Sequence, residues 1–195
     1  MFKFFAKYFA SGQIKLDEGF ILFLGQRMLF FPSRSLAEMQ KEFQRELGEQ
    51  KGSYRIYQLL KKSSMWYPTW IGDHIGLSIS QMANWMEEVS TGGGWGIVKI
   101  EDFNKDQKGT IVSIEKSPFP EWFQSSYPCC HATRGLIAGV LSGILGEDID
   151  GVERECVVNG AKQCLFIFQP RSEWLMVKTP DLESKAKWQL PDLFV

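Results

Sequence analysis

The sequence predicts an α+β domain in which an antiparallel sheet of hairpins packs against several helices. Three observations carry this. β-rich segments occur in pairs separated by turn residues, apolar residues elsewhere recur at helical spacing, and 195 residues with 44% hydrophobic content suffice for one core. A chain of this length buries roughly 70% of its unfolded surface. Residues 1–195 are therefore expected to form a single domain, with an aromatic N-terminal segment at 1–13 and a polar C-terminal tail at 178–195 that carries a few apolar anchors.

Taken in chain order, Phe2, Phe5, Tyr8 and Phe9 with Lys3 and Lys7 opposite predict a short amphipathic helix in residues 1–10. Such a segment packs as a terminal element, at a dimer interface, or rests peripherally on a membrane surface. Ile14 to Leu24 reads as a hairpin turning at Asp17-Glu18-Gly19. Ser35-Leu-Ala-Glu38 has the form of a capping box, and Leu36, Met39, Phe43 and Leu47 follow on one face, so a helix is predicted over 35–47. A second helix continues over 54–62, and Ile75, Ile79, Met82, Met86 and Val89 mark a third apolar stripe. Trp66, Tyr67, Pro68 and Trp70 fall between these, where a loop is expected.

In the second half, 95–103 and 110–115 are strands joined by the polar turn 104–109. Gly135 to Leu145 is helical, with Gly135, Gly139 and Gly143 in register on one face and Leu136, Val140 and Ile144 on an adjacent one. A helical glycine costs about 1 kcal/mol relative to alanine, so three in register predict very close packing there. Finally, 149–157 and 163–168 flank Asn159-Gly160, a strong hairpin signal.

Charge and targeting features narrow the partners. With 22 Lys+Arg against 23 Asp+Glu spread along the chain, no basic stripe marks a nucleic-acid partner. The longest clean apolar run, Gly19 to Gly25, is far short of the roughly 20 residues a spanning helix needs, so no transmembrane segment is expected. Lys3 and Lys7 interrupt any apolar signal core, and no N-glycosylation sequon occurs. A cytoplasmic location follows as the expectation, and there four cysteines read as thiols or metal ligands.

Cys156 and Cys164 flank the Asn159-Gly160 turn, which places their sulfurs nearly opposite each other across a hairpin. Glu153 precedes Cys156 by three, and Cys130 sits just before the glycine-striped helix that feeds this strand. One carboxylate and three thiolates suit a closed tetrahedral zinc site of structural type. The odd spacing of Glu153 and Cys156 puts them on opposite faces of a regular strand, so convergence requires a bulge near Arg154 or Glu155. Four buried thiols, or a Cys156–Cys164 disulfide, are the competing readings. Cys129, next to Cys130 in an extended segment, is expected to point elsewhere.

Other features compete for a functional role. Thr91 to Gly96 is glycine-rich but lacks the Gly-Lys-Ser/Thr of a phosphate loop and precedes a strand, so a flexible connection is expected. His131 beside Cys130 lacks a third orienting group for nucleophilic catalysis. His74 reads as a surface or capping histidine, or as a pocket group for a phenol or a tetrapyrrole metal. Trp70, Trp85, Trp95 and Trp122, with His74 and His131, are the candidate pocket residues, and core packing explains the tryptophans equally well.

The run Cys130-x4-Gly135-x3-Gly139, Leu145-Gly146, then Glu153-x2-Cys156-x3-Gly160-x3-Cys164-x-Phe166 resembles the signature of the 4-vinyl-reductase-type domain. Gly94-Trp-Gly96, Ser117-Pro-Phe119 and Gly25-Gln-Arg27 resemble it less specifically. The family includes sensor domains of phenol-responsive activators and a protein of bacteriochlorophyll biosynthesis. It is similar in fold to subunits of the transport-protein-particle (TRAPP) tethering complex. The resemblance implies a mixed fold enclosing an apolar ligand pocket, and zinc ligands at Cys130, Glu153, Cys156 and Cys164. It also implies a homodimer or paralogous heterodimer. Within these 195 residues no ATPase or DNA-binding region is expected, a departure from the sensors. The expected function is binding or carriage of a hydrophobic small molecule, a tetrapyrrole of chlorophyll biosynthesis or another aromatic. A TRAPP-type scaffold or assembly factor is the alternative, and a reductase a distant third.

Overall fold

The computed structural model describes residues 2–104 and 109–194. Helix α1 (Phe2–Ala10) leads into a three-stranded antiparallel sheet of β1 (Ile14–Asp17), β2 (Phe20–Phe23) and β3 (Gln26–Met28). Four helices follow: α2 (Ser33–Leu47), α3 (Glu49–Ser64), α4 (Tyr67–Ile75) and α5 (Ile79–Gly92). The second half holds β4 (Ile97–Asn104), β5 (Gly109–Glu115), α6 (His131–Leu145), β6 (Ile149–Glu155), β7 (Cys164–Pro170) and α7 (Pro180–Gln189). Its strands form one antiparallel sheet in the order β4-β5-β7-β6. The antiparallel hairpins expected from the sequence are thus present, divided between two sheets. The turn expected at 104–109 falls at 105–108 outside the described residues.

β7 alternates strictly, with Cys164, Phe166, Phe168 and Pro170 buried and the residues between them half-exposed. Its buried face shares the sheet side of Val112 and Ile114 of β5 and Ile149 of β6, all of them core residues. Each such aromatic side chain contributes roughly 1.5–3 kcal/mol by leaving water. Helices α3 and α6 cover the core with an unusually close contact. A Cβ on Gly135 would meet the Tyr57 carbonyl, one on Gly139 the Lys61 carbonyl and Ser64 Oγ, and one on Gly143 the Met65 carbonyl. The glycine stripe is therefore a backbone-to-backbone seam. Ser64 Oγ reaches across it to donate to the Leu136 carbonyl at 2.9 Å.

Several local expectations are corrected. Helix α2 starts at Ser33 behind Pro32, so Ser35 lies inside the helix and no side-chain cap forms. Tyr67 to Trp70 is helical, because Pro68 occupies the first turn, where a missing N–H costs nothing. The C-terminal segment is helical over α7, which buries Ala186 and Gln189, and Leu190 is fully buried behind it. The glycine-rich connection is a tight turn. Gly94 and Gly96 adopt φ 89° and 104°, and the amides of Gly93, Gly94 and Trp95 donate to the carbonyls of Val89, Thr91 and Ser90. Those amides are thereby spent on the chain itself.

Candidate functional site: a buried thiol–carboxylate cluster beside an apolar cavity

Cys130, Glu153, Cys156 and Cys164 are all buried, and one ligand atom from each lies within 4.8 Å of the other three. The fold gathers them from three places. Cys130 is the N-cap of α6, Glu153 lies in β6, Cys156 follows the end of β6, and Cys164 opens β7. Pairing Glu153 with Phe166 and Glu155 with Leu165 leaves Arg154 as an extra residue. This is the bulge that the odd Glu153–Cys156 spacing demands, and it turns both side chains to the same point. The sulfurs of Cys130 and Cys164 are 3.5 Å apart, and those of Cys164 and Cys156 3.9 Å. All four cysteines are free thiols.

The carboxylate is held from behind. Glu153 Oε2 accepts the Cys130 backbone N–H at 2.9 Å, while Oε1 is buried with no hydrogen-bond partner. Gln189 of α7 clamps the Glu153 backbone, accepting its N–H at 2.8 Å and donating to its carbonyl at 2.9 Å. Burial, then the neighbouring Cys156 sulfur, pushes the Glu153 carboxyl well above the ordinary range. Cys156 is shifted the other way, because hydrogen bonding with the neighbouring thiols of Cys129, Cys130 and Cys164 favours its thiolate. An orphaned carboxylate oxygen facing three sulfurs is the arrangement a thiophilic cation satisfies, so the residues fit a metal ion.

Cys129 departs from expectation. Its side chain is buried, and its sulfur lies 3.8 Å from that of Cys156. The alternation argument fails because Cys130 has φ −86° and ψ 42°, turning toward the helix and not extended.

On the other side of α6 lies a cavity of about 620 Å³. Leu136, Ile137 and Val140 of α6 form one wall, and Phe23, Trp85 and Met86 face it from β2 and α5. Phe23 and Trp85 stack at 6.2 Å with planes 6° apart. Leu29, Phe30 and Phe31 also line the cavity while being 83%, 81% and 60% exposed, so it opens past this segment. Of the candidate pocket residues, Trp70, Trp85 and Trp95 line it. His74, Trp122 and His131 are not among its lining residues. His74 Nδ1 is 2.8 Å from the Trp70 carbonyl. The Trp122 indole donates to Ser33 Oγ at 3.2 Å. His131 is buried against Trp188, with ring centroids 5.6 Å apart, and burial followed by the Arg134 charge depresses it to about 3. The N-terminal sheet's contribution went unread in the sequence, because β1 to β3 are too short to show which face is covered.

Residues 110–170 match the 4-vinyl-reductase-type domain family, a span that encloses every cysteine and Glu153. Three solved structures share the fold. The phenol-responsive sensory domain of the transcription activator PoxR, solved with phenol, is 20% identical over 92% of each chain, with a TM-score of 0.70. The trafficking protein particle complex subunit 3 of Naegleria fowleri, covalently bound to palmitic acid, is 12% identical over 71% of this chain and 96% of that one, TM-score 0.50. A vinyl-4-reductase family protein of Methanocaldococcus jannaschii is 16% identical over 73% and 83%, TM-score 0.50. No curated protein matches the chain in sequence. Fold and site together define a mixed helix and antiparallel-sheet protein of the kind shared by 4-vinyl-reductase-type proteins, phenol-sensor domains and TRAPP subunits.

Proposed function

We propose that residues 1–195 act as one binding module that takes up a hydrophobic small molecule in the cavity beside α6, with a structural zinc ion at Cys130, Glu153, Cys156 and Cys164. The cavity carries this reading. Its volume of about 620 Å³ falls within the range of roughly 300–1,000 Å³ typical of small-molecule sites, and its walls are almost wholly aromatic and aliphatic. Apolar transfer at about 25 cal/mol per Å² supplies the affinity. A cavity of that size suits a multi-ring aromatic such as a tetrapyrrole, or a long acyl chain, and the phenol bound by the PoxR domain is the precedent for an aromatic guest. The zinc is structural because four protein donors leave no position for water. A cytoplasmic setting keeps these thiols reduced and able to bind it.

Native mass spectrometry of the purified protein tests the cavity: a co-purifying apolar compound is expected. An empty protein that also fails to enhance the fluorescence of an added apolar dye overturns the reading. A scaffold of TRAPP type is the second reading, favoured by the exposed Leu29, Phe30 and Phe31, which would then meet a protein partner, a second copy or a paralogue included. Mutating Phe30→Ser and Phe31→Ser separates the two. A scaffold loses its partner with dye uptake kept, and a carrier keeps its oligomeric state with uptake altered.

A further inference from the structure

The four-donor set leaves a thiol unused. Cys129 lies in the same buried pocket, and its backbone carbonyl accepts from the buried Gln40 amide at 2.9 Å, which fixes the residue from the α2 side. The sulfurs form a chain of short steps: Cys129 to Cys156 at 3.8 Å, Cys156 to Cys164 at 3.9 Å, and Cys164 to Cys130 at 3.5 Å. A tetrahedral tetrathiolate with metal–sulfur bonds of about 2.3 Å has sulfur–sulfur edges of about 3.8 Å. The 3.8 and 3.9 Å steps match such an edge, and the 3.5 Å step falls a little short of it.

Resting on the metal-centre reading above, we propose that Cys129 is a fifth donor of the centre. With a soft, thiophilic cation such as cadmium(II), the site closes as a tetrathiolate of Cys129, Cys130, Cys156 and Cys164, and Glu153 withdraws. Two features support the exchange. Four thiolates and a carboxylate around one cation leave several uncompensated negative charges in a fully buried site, so one donor must stand back. With a soft ion the hard carboxylate oxygen is the weakest of the five. Each thiol that binds gives its proton to solvent. No oxidation is involved.

Cadmium alone is the probe. Metal-free full-length protein is loaded with one equivalent of cadmium-113, and the sulfurs in its shell are counted by X-ray absorption and by the cadmium chemical shift. The chain contains four cysteines, so four thiolates at one cadmium per chain can be reached only with Cys129. Four sulfurs are expected in the unmodified protein, and three sulfurs with one oxygen in Cys129→Ser. Three sulfurs and one oxygen in the unmodified protein overturn the inference while leaving the Cys130, Glu153, Cys156, Cys164 centre standing. Failure to retain cadmium at all removes both.

Discussion

The Tyr57 hydroxyl donates to the Asp150 carboxylate at 2.5 Å, joining α3 to β6 across 93 residues of sequence. The same carboxylate, almost wholly buried, receives Lys61 at 2.6 Å and Arg171 at 2.5 Å. The Arg134 guanidinium stacks 3.8 Å from the Tyr57 ring and donates to the Gly151 carbonyl. Asp150→Asn leaves this cationic surround without its anion. Removing one partner of a buried pair costs on the order of 3–5 kcal/mol, so urea unfolding of the variant is expected to show a correspondingly lower midpoint.

Asp150 also sets an acid limit. Burial raises its pKa, but Lys61, with Tyr57 and Arg171, outweighs that and holds the carboxyl below its ordinary 3.8. A folded value below the unfolded one means the stabilisation is complete above about pH 4 and is lost as pH falls through the folded value. Thermal melts of the unmodified protein should lose this contribution only below about pH 4. The difference in melting temperature between it and Asp150→Asn should shrink over that same interval.

The α3–α6 seam predicts a penalty for a single methyl. Gly139→Ala drives a Cβ into the Lys61 carbonyl and Ser64 Oγ, and backbone cannot yield as a flexible side chain does. Overpacking of this kind costs typically about 1–3 kcal/mol. That outweighs the roughly 1 kcal/mol that alanine gains in helix propensity, so chemical denaturation should show net destabilisation.

The zinc reading predicts about one zinc per chain by elemental analysis. Cys164→Ser and strong chelators should both release it and lower the melting temperature sharply, since structural zinc contributes on the order of 10 kcal/mol. An unchanged melting temperature in the variant would contradict a structural role.

Filling the cavity should abolish uptake without unfolding the domain. Val140 faces the cavity from α6 and is half-buried, so Val140→Trp places an indole in open space. Titration with an apolar fluorescent dye should show loss of binding, with the melting temperature kept within a few degrees.

How much of this was legible in the sequence depends on the range of the forces involved. The Cys156–Cys164 hairpin followed from the local Asn159-Gly160 turn, and the bulge at Arg154 from the parity of Glu153 and Cys156. The glycine seam followed from helical period alone. Long-range packing hid the rest. Helix α7 has a weakly apolar sequence, and its burial depends on Gln189 reaching the Glu153 backbone. Cys129 joins the cluster through one non-extended residue, Cys130, whose ψ no propensity announces. The position of α4 turned on reading Pro68 as a helix start instead of a break.

The seam between α3 and α6 has a mechanical consequence. Two helices in direct main-chain contact behave as a single stiff beam, and one wall of the cavity is the back of that beam. Pressure from an oversized occupant is therefore relieved away from that beam, on the walls that α1, the short N-terminal strands, α4 and α5 supply. Movement begun inside the molecule is thereby steered outward to the exposed aromatic rim, the place where a neighbouring surface would feel it.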